Sequence, residues 1–363
     1  MAADLAARRI VATGLAGPRW SDASDVVRRF GAVQSQEFGP ALWSLRQRLG
    51  VATESALLAE FDAGAILRTH VLRPTWHFVL PADIRWLLDI TAPRVHAFNR
   101  YYYRKYELDD EVLAQAHDLI RKALTARGSL TRAELAAALK DGGIVADSLR
   151  LGLILMHAEL EQLVCSGPRR GKQHTYALLD EGVPAVPARS TDEGLGELAA
   201  RYFASHGPAA VKDFSWWSSL TMAQCRRAIE IAADRLESVT VDGTTYWSGV
   251  PAPPAVPPPG GVALLQPYDE YVVAYSASKH VTDRAGWGAR RLERNTYVGV
   301  VIRGTQLAGY WKRTVKSTEA IVHVQLHEPF DAAAMAALRA AVDEHAAFLG
   351  RTGILAEPTL ISS

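Results

Sequence analysis

Two glutamines, Gln34 and Gln36, stand two residues apart in the N-terminal part of the chain. Side chains at this spacing point to the same side of an extended segment but to roughly opposite sides of a helix. Gly31 before the pair and Gly39-Pro40 after it indicate a short segment that is either non-helical or the entry to a helix, in which the two carboxamides can converge. A carboxamide both donates and accepts hydrogen bonds, so it can orient a water molecule, or hold a base or a sugar, without titrating. The alternative is that both glutamines bond only to the local backbone.

The overall composition limits what the protein can be. The chain has 363 residues, of which 48% are hydrophobic and 22% are charged, as is typical of a globular protein with two or three small domains. Its 40 Lys and Arg residues nearly balance its 39 Asp and Glu residues, for a net charge of +1. Any surface for nucleic acid must therefore come from local segregation of charge.

Targeting and cysteine patterns predict a cytoplasmic protein. The sequence has no apolar run of the roughly 18 residues that a membrane span requires, and its N-terminus lacks the basic and apolar regions of a signal peptide. Cys165 and Cys225, the only cysteines, lie far apart and predict neither a disulfide framework nor a zinc site. We therefore expect no contact with a membrane and no cofactor or metal.

The first section, residues 1–104, has the element order of a winged helix. Helical spacing at 22–30 and 54–63 is followed by two strand-like runs at 66–71 and 75–80. Helices followed by a short hairpin are the sequence signature of that motif.

The same order recurs twice. Residues 105–188 have three helical patterns before a strand–turn–strand pattern at 164–179. Residues 189–250 have three more before a hairpin with Asp242-Gly243 at its turn. Residues 251–363 combine a stiff proline-rich linker with strand patterns and a final helix. The sequence therefore predicts an α+β fold of three tandem winged-helix units and a C-terminal β-rich domain.

Several predicted turns carry side chains that suit contact with DNA. A winged helix presents a recognition helix to the major groove and a basic hairpin to the backbone or the minor groove. The candidates are Arg169, Arg170 and Lys172 in the hairpin of the second section, Arg290 with Arg291, Arg303 with Gln306, and Lys312 with Arg313. For any one basic turn the alternative is a solvated surface loop, but several such turns in a chain of balanced charge favour a segregated cationic face.

Motifs along nearly the whole chain resemble one known family. They are the run around Gln34-Ser35-Gln36, Leu67-Arg68-Thr69-His70 with Arg73-Pro74-Thr75-Trp76-His77, His206-Gly207-Pro208 with Asp213 and Trp216-Trp217, and Leu265-Gln266-Pro267-Tyr268-Asp269-Glu270-Tyr271. In this order they resemble the winged-helix DNA glycosylases of the AlkZ and YcaQ type.

The resemblance implies a concave, cationic cleft for duplex DNA and a catalytic glutamine pair, here Gln34 and Gln36. YcaQ-type members carry Asp at the second position, so Gln36 makes the chain more similar to AlkZ-type self-resistance enzymes. The implied reaction is hydrolysis of the N-glycosidic bond of N7-alkylated purines, including bulky natural-product adducts or interstrand crosslinks. The implied partner is double-stranded DNA carrying an alkylated purine, bound by a monomer associated with the nucleoid.

The residue types agree with that chemistry. Alkylation at N7 makes the base cationic, so it leaves as a neutral group and needs no strong general acid. What remains is to position a water molecule and to stabilise oxocarbenium character, which neutral carboxamides can assist. No motif lysine is offered for a Schiff base, so we expect a monofunctional enzyme. We also expect recognition without a deep base pocket, because a bulky adduct resists extrusion.

Other residues in the same motifs have two interpretations each. Arg73, Thr75 and His77 are candidates to line the cleft behind the glutamines, with a structural histidine as the alternative. We expect Asp269-Glu270 to hold the last domain in place, and Trp216-Trp217 to lie in the core. The hairpin implied within the cleft is either 168–174 or the 303–306 turn.

Two further functions remain open from the sequence. One is a non-catalytic winged-helix regulator or lesion-binding protein, which would normally dimerise on a palindromic site. The other is an enzyme for another substrate on the same scaffold.

Overall fold

The computed structural model describes residues 2–184, 186–254, 260–289 and 299–361, which form a mixed α+β fold. Helices followed by a small sheet occur three times along the chain, and a larger sheet forms in the fourth section. The α+β class expected from the sequence is confirmed. No described helix is both long enough and apolar enough to cross a membrane.

The first section contains a three-stranded antiparallel sheet with β3 between β1 and β2. Its elements are α1 (Ala2–Ala12), α2 (Ala23–Phe30), β1 (Val33–Gln34), α3 (Phe38–Arg46), α4 (Glu54–Asp62), β2 (Leu67–His70), β3 (Trp76–Val79) and α5 (Ile84–Lys105).

The strand β1 is only two residues long, and it carries Gln34. Gly31 ends α2 with a φ of 79°, a conformation that a glycine adopts at little cost. The chain then runs extended along β3, where Gln34 lies opposite His77. Of the two possibilities from the sequence, the non-helical segment is therefore the one present at Gln34.

The second section has its own core, packed on a sheet in the order β4-β6-β5. Its elements are α6 (Asp110–Arg127), β4 (Ser129–Thr131), α7 (Arg132–Asp141), α8 (Ser148–Leu160), β5 (Val164–Arg170), β6 (Gln173–Leu178) and α9 (Leu179–Gly182). A reciprocal capping box starts α7, because the Thr131 hydroxyl accepts from the N–H of Glu134 and the Glu134 carboxylate accepts from the N–H of Thr131.

The third section combines three helices with a two-stranded hairpin. Its elements are α10 (Thr191–His206), α11 (Val211–Ser218), α12 (Met222–Ile231), β7 (Leu236–Val241) and β8 (Thr244–Gly249). Asp242 and Gly243 form the predicted turn with φ angles of 50° and 74°, the positive values that a type I′ hairpin turn requires.

The fourth section forms the largest sheet, in the order β13-β12-β11-β10-β9, with β14 also paired to β12. Its elements are β9 (Val262–Leu265), α13 (Glu270–Val273), β10 (Gly299–Arg303), β11 (Gln306–Val315), β12 (Glu319–Leu326), α14 (Ala332–Phe348), β13 (Thr352–Leu355) and β14 (Thr359–Leu360). The tail after α14 adds β13 and β14, which both run parallel to β12.

The hydrophobic core crosses the boundaries between sections. Side chains of α2, α3 and α4 share one cluster with the fourth section's sheet and α14. In this cluster the Trp43 indole N–H donates to the Leu264 carbonyl at 2.6 Å. Side chains of α5 share a second cluster with α10, α11 and α12. The first section therefore packs against both the third and the fourth.

Candidate active site

Side chains of the fourth section hold both backbone polar groups of Gln34. Its N–H donates to Glu270 Oε1 at 2.7 Å, and its carbonyl accepts from Gln266 Nε2 at 3.2 Å. Both partners come from the motif at 265–271, so the glutamine is positioned by residues far away in the sequence. An extended segment of this kind has few local bonds of its own, and these long-range bonds fix its backbone.

Arg68 on β2 holds the two residues that follow. Its guanidinium donates to the carbonyl of Ser35 at 2.9 Å and to that of Gln36 at 3.2 Å, and it lies 4.3 Å from the centre of the Trp76 ring. Burial lowers the pKa of Arg68 to about 10, which leaves the side chain charged at neutral pH. Its charge-assisted bonds make the glutamine segment rigid.

The two carboxamides both contact the chain between β2 and the start of β3. Gln34 Oε1 accepts from Arg73 Nη2 at 2.7 Å, and Gln36 Oε1 accepts from the N–H of Trp76 at 3.2 Å. The alternative from the sequence was that both glutamines bond only to the backbone. The Gln36 amide oxygen does bond to a backbone N–H, whereas that of Gln34 bonds to the Arg73 side chain. Each amide oxygen therefore accepts one hydrogen bond within the protein and has a second lone pair, and Gln34 is only 5% exposed.

A buried carboxylate lies directly behind Gln34. Glu270 is fully buried, and its second oxygen accepts from His206 Nε2 at 3.1 Å and from Trp217 Nε1 at 2.9 Å. Burial alone would raise the pKa of Glu270, but the hydrogen bond and charge of His206, together with the N–H of Gln34, lower it to about 2. The site therefore contains a fixed negative charge at neutral pH.

Asp269 makes a separate connection between the same two sections. Its carboxylate accepts two bonds from the Arg48 guanidinium, at 2.8 and 2.9 Å, and a third from the Ser44 hydroxyl at 2.6 Å. All three side chains are buried. Asp269 and Glu270 thus tie the fourth section to α3 and β1, which is the structural role that we expected of them.

Gln34 lines an open groove of about 890 Å³ between α5 and α11. Among the residues that the structure describes, the lining includes three cations, Arg73, Arg94 and Lys212, and no acidic side chain. Arg94 Nε donates to the Ser219 carbonyl at 3.1 Å. A groove with this charge attracts a polyanion.

Three of the residues that line the groove are exposed aromatics, which together form an aromatic wall. Phe98 and Tyr102 on α5 are 54% and 43% exposed, and Trp216 on α11 is 51% exposed. Exposed aromatic faces beside polar groups are suited to stacking on flat rings. The groove is open to solvent and is far larger than a closed slot for one base.

Sequence reasoning missed this wall, although α5 carries a signal for it. Arg94, Phe98 and Tyr102 are spaced four residues apart, which places them on one face of a helix. Our interpretation of Trp216-Trp217 as core is correct for Trp217, which is fully buried, and wrong for Trp216. The two rings differ because adjacent residues point in different directions from a helix.

The three predicted residues beside the glutamines occupy different environments. Arg73 and Thr75 line the groove. His77 is fully buried, and its Nδ1–H donates to the Thr75 carbonyl at 2.9 Å. Burial and the nearby charge of Arg73 lower the pKa of His77 to about 3, so the ring is neutral. His77 therefore supports the loop from inside the protein.

The basic hairpin formed by β5 and β6 lies elsewhere, beside α4 and α7. Arg169 makes a two-pronged ion pair with Asp62, at 2.7 and 3.0 Å. Arg170 pairs with Glu134 at 2.9 Å, and Lys172 is exposed at the turn. Two of the three predicted cations therefore have a carboxylate partner within the protein.

Two predicted cations of the fourth section, Arg303 and Arg313, also have partners within the protein. Arg303 pairs with Asp331 at 2.6 Å, and Arg313 contacts His345 Nε2 at 2.7 Å. Gln306 donates to the Val281 carbonyl at 3.0 Å. Lys312 is exposed and lines a smaller cavity beside α3.

Arg290 and Arg291 lie outside the described residues. The remaining predicted side chains fall into separate places: Gln34, Arg73 and Thr75 meet at the groove, whereas the cations of the hairpin and of the fourth-section sheet lie apart from its lining.

Comparison with known proteins decides the family. Residues 27–348 match the family described as AlkZ-like, DNA glycosylase AlkZ-like. The chain belongs to the AlkZ-like DNA glycosylase family. The family resemblance that the sequence motifs indicated is confirmed. No curated protein matches the sequence.

A solved structure has the same fold as this AlkZ-like chain. It is the DNA glycosylase AlkZ from Streptomyces sahachiroi, with a TM-score of 0.79, 19% sequence identity and coverage of 99% of each chain. The similarity thus extends beyond the segment with the glutamine pair to every section.

Proposed function

We propose that this AlkZ-like protein is a monofunctional DNA glycosylase that hydrolyses the N-glycosidic bond of N7-alkylated purines, including bulky adducts and interstrand crosslinks. The observation that carries the proposal is the position of Gln34. Gln34 lines an open, cationic groove, and its backbone is fixed by Glu270 and Gln266. Rigid positioning of this kind is what catalysis by orientation requires.

In this proposal Gln34 orients the attacking water. Gln36 is outside the described lining of the groove, and it would assist only after exchanging its hydrogen bond with the N–H of Trp76. Arg73 occupies one lone pair of the Gln34 amide oxygen, and the other lone pair accepts a hydrogen bond from the water. The Glu270 carboxylate, one hydrogen bond behind Gln34, favours positive charge in the groove. An N7-alkylated purine and the oxocarbenium-like sugar both carry such charge.

The aromatic wall would receive the flat part of the adduct. Phe98, Tyr102 and Trp216 are exposed and line the same groove as Gln34. Because the groove is open, it supports recognition of a bulky lesion without a deep base pocket.

We propose that the protein is a monomer and that its three repeated sections are tandem winged helices that together contact the DNA. Arg73, Thr75, Arg94 and Lys212 would contact the lesion strand at the groove, and the exposed Arg170, Lys172 and Lys312 would contact phosphates farther away. Four further predicted residues would contact DNA only after releasing their present partners within the protein: Arg169, Arg303, Gln306 and Arg313. His77 would contribute indirectly, through the loop that it supports. Arg290 and Arg291 remain candidates from their sequence alone.

The experiment is release of free base from duplex DNA alkylated at guanine N7, with small and bulky adducts compared. We expect Gln34→Ala to lower the rate about 100-fold or more, the effect of losing one well-placed polar group at a reacting centre, and Gln36→Ala to lower it less. Ser35→Ala is the matched control, because the buried Ser35 hydroxyl has no hydrogen-bond partner among the described residues.

Two results would reject the proposal. One is the absence of abasic sites with every N7 adduct tested. The other is tight, sequence-specific binding to undamaged DNA, which would favour a regulator.

A further inference from the structure

A cluster of histidines lies at the junction of the first and second sections, outside the groove. One nitrogen each from His96 and His157 and one carboxylate oxygen of Glu161 lie within 4.8 Å of one another. His96 is on α5, His157 is near the end of α8, and Glu161 follows α8 directly. They line a separate cavity of about 490 Å³ that shares no lining residue with the groove at Gln34.

The Nδ1 atoms of both histidines already have partners. His157 Nδ1 lies 3.1 Å from His117 Nε2, and His96 Nδ1 lies 3.0 Å from the Tyr103 hydroxyl. Each ring can therefore offer only its Nε2 to a further ligand. In protein metal sites, a ligating histidine typically donates its other ring N–H to a second side chain that sets its orientation. His117 and Tyr103 are placed to do this.

We propose that His96, His157 and Glu161 form a binding site for a divalent transition metal of the Zn²⁺ class. Two imidazoles and one carboxylate are a ligand set that zinc accepts, with a fourth position for water. His96 Nε2 and Glu161 Oε1 are 3.0 Å apart, close to the roughly 3.4 Å between ligand atoms of a tetrahedral site with bonds of about 2.0–2.1 Å. The Glu161 side chain is 51% exposed, so it can adjust to the ion.

Such an ion would connect α5 of the first section to α8 of the second. Imidazole nitrogen favours Zn²⁺, Ni²⁺ and Cu²⁺ over Mg²⁺ and Ca²⁺, which prefer oxygen. We therefore expect selective stabilisation by the former ions, with no requirement for the metal in the groove chemistry.

The test is titration of the untagged, chelator-treated full chain with Zn²⁺ by calorimetry, together with thermal unfolding. We expect one Zn²⁺ per chain, a rise in Tm with Zn²⁺ and none with Mg²⁺. Glu161→Gln, an exposed and conservative change, should weaken binding at least about tenfold, and His117→Ala should weaken it about 10- to 100-fold through the orientation of His157. His323→Ala, at an exposed histidine on β12, is the matched control and should bind as the parent does.

The outcomes separate clearly. Unchanged Zn²⁺ affinity in Glu161→Gln and in His157→Ala would overturn the proposal, because the ion would then bind elsewhere on the surface. Equal weakening by His323→Ala would overturn it for the same reason. Circular dichroism of each variant shows that the fold is retained, and Glu161→Gln keeps the test decisive if His157→Ala does not fold.

Discussion

The groove at Gln34 and the basic β5–β6 hairpin both carry arginines, but their charges have different partners. In the hairpin, Arg169 pairs with Asp62 and Arg170 pairs with Glu134. In the groove, Arg73 donates to a neutral carboxamide and Arg94 to a backbone carbonyl. The difference teaches that a basic run in a sequence identifies cations, whereas the strength of a cationic surface depends on which acids fold beside it.

The largest expected effect concerns the buried acid behind the groove. Glu270→Ala should lower the free energy of unfolding by about 3–5 kcal/mol, because it leaves the buried donors of His206, Trp217 and Gln34 without their acceptor. Asp62→Ala, at the partly exposed ion pair of Asp62 with the hairpin's Arg169, should cost less than about 1 kcal/mol. Urea unfolding measures the free energy of unfolding of both variants. Equal decreases would contradict the claim that the buried acid matters more for stability than the hairpin ion pair.

The aromatic wall gives the next effect. Trp216→Ala and Phe98→Ala should each weaken binding of DNA with a bulky N7 adduct by about 1–3 kcal/mol, the range for loss of one stacked base. Binding of undamaged duplex should change little. A filter or fluorescence assay with both DNAs distinguishes a stacking role from general loss of affinity, and Val51→Ala, at a side chain 92% exposed on another surface, is a control.

The next prediction concerns how the free energy of unfolding depends on pH, and it compares the contributions of one histidine from each region. His77 below the groove and His174 in the hairpin have pKa values lowered to about 3 and about 4, in both cases mainly by burial. The unfolded chain takes up their protons first, so each contributes stability that is complete above about pH 6.5 and declines as the pH falls toward the folded value.

Each fully buried histidine of this kind contributes at most about 1.4 kcal/mol per pH unit in that window. We expect His77→Gln to flatten the decline between pH 6.5 and 3 more than His174→Gln does, because His174 is only partly buried. Urea midpoints measured at several pH values give the slopes. A steeper slope in His77→Gln would contradict the neutral ring.

The smallest expected effect concerns salt dependence. Each phosphate contact that is removed should reduce the slope of log K against log salt by about 1. We expect this for Lys212→Ala in the groove and a smaller change for Arg169→Ala, whose charge Asp62 already balances. If Arg169→Ala has the larger effect, then the hairpin exchanges Asp62 for a phosphate on binding and is the part that enters the DNA.

The sequence by itself determined the local features of this protein. Gly31 ends α2 just before the glutamines, Thr131 starts α7, and Asp242-Gly243 makes its hairpin turn. Gly39-Pro40 lie in the first turn of α3, which follows the extended segment. These follow from backbone conformations and hydrogen bonds within a few residues, which composition and spacing specify directly. The motifs also identified the family correctly.

Only the tertiary structure decided which side chains meet. Glu270 and Gln266 lie more than 200 positions after Gln34 and yet hold its backbone, and Trp216 faces the groove while its neighbour Trp217 is buried. Ion pairing of Arg169 with Asp62 likewise depends on packing of the second section against α4. Such contacts arise from long-range packing and burial, which periodicity along one chain does not encode.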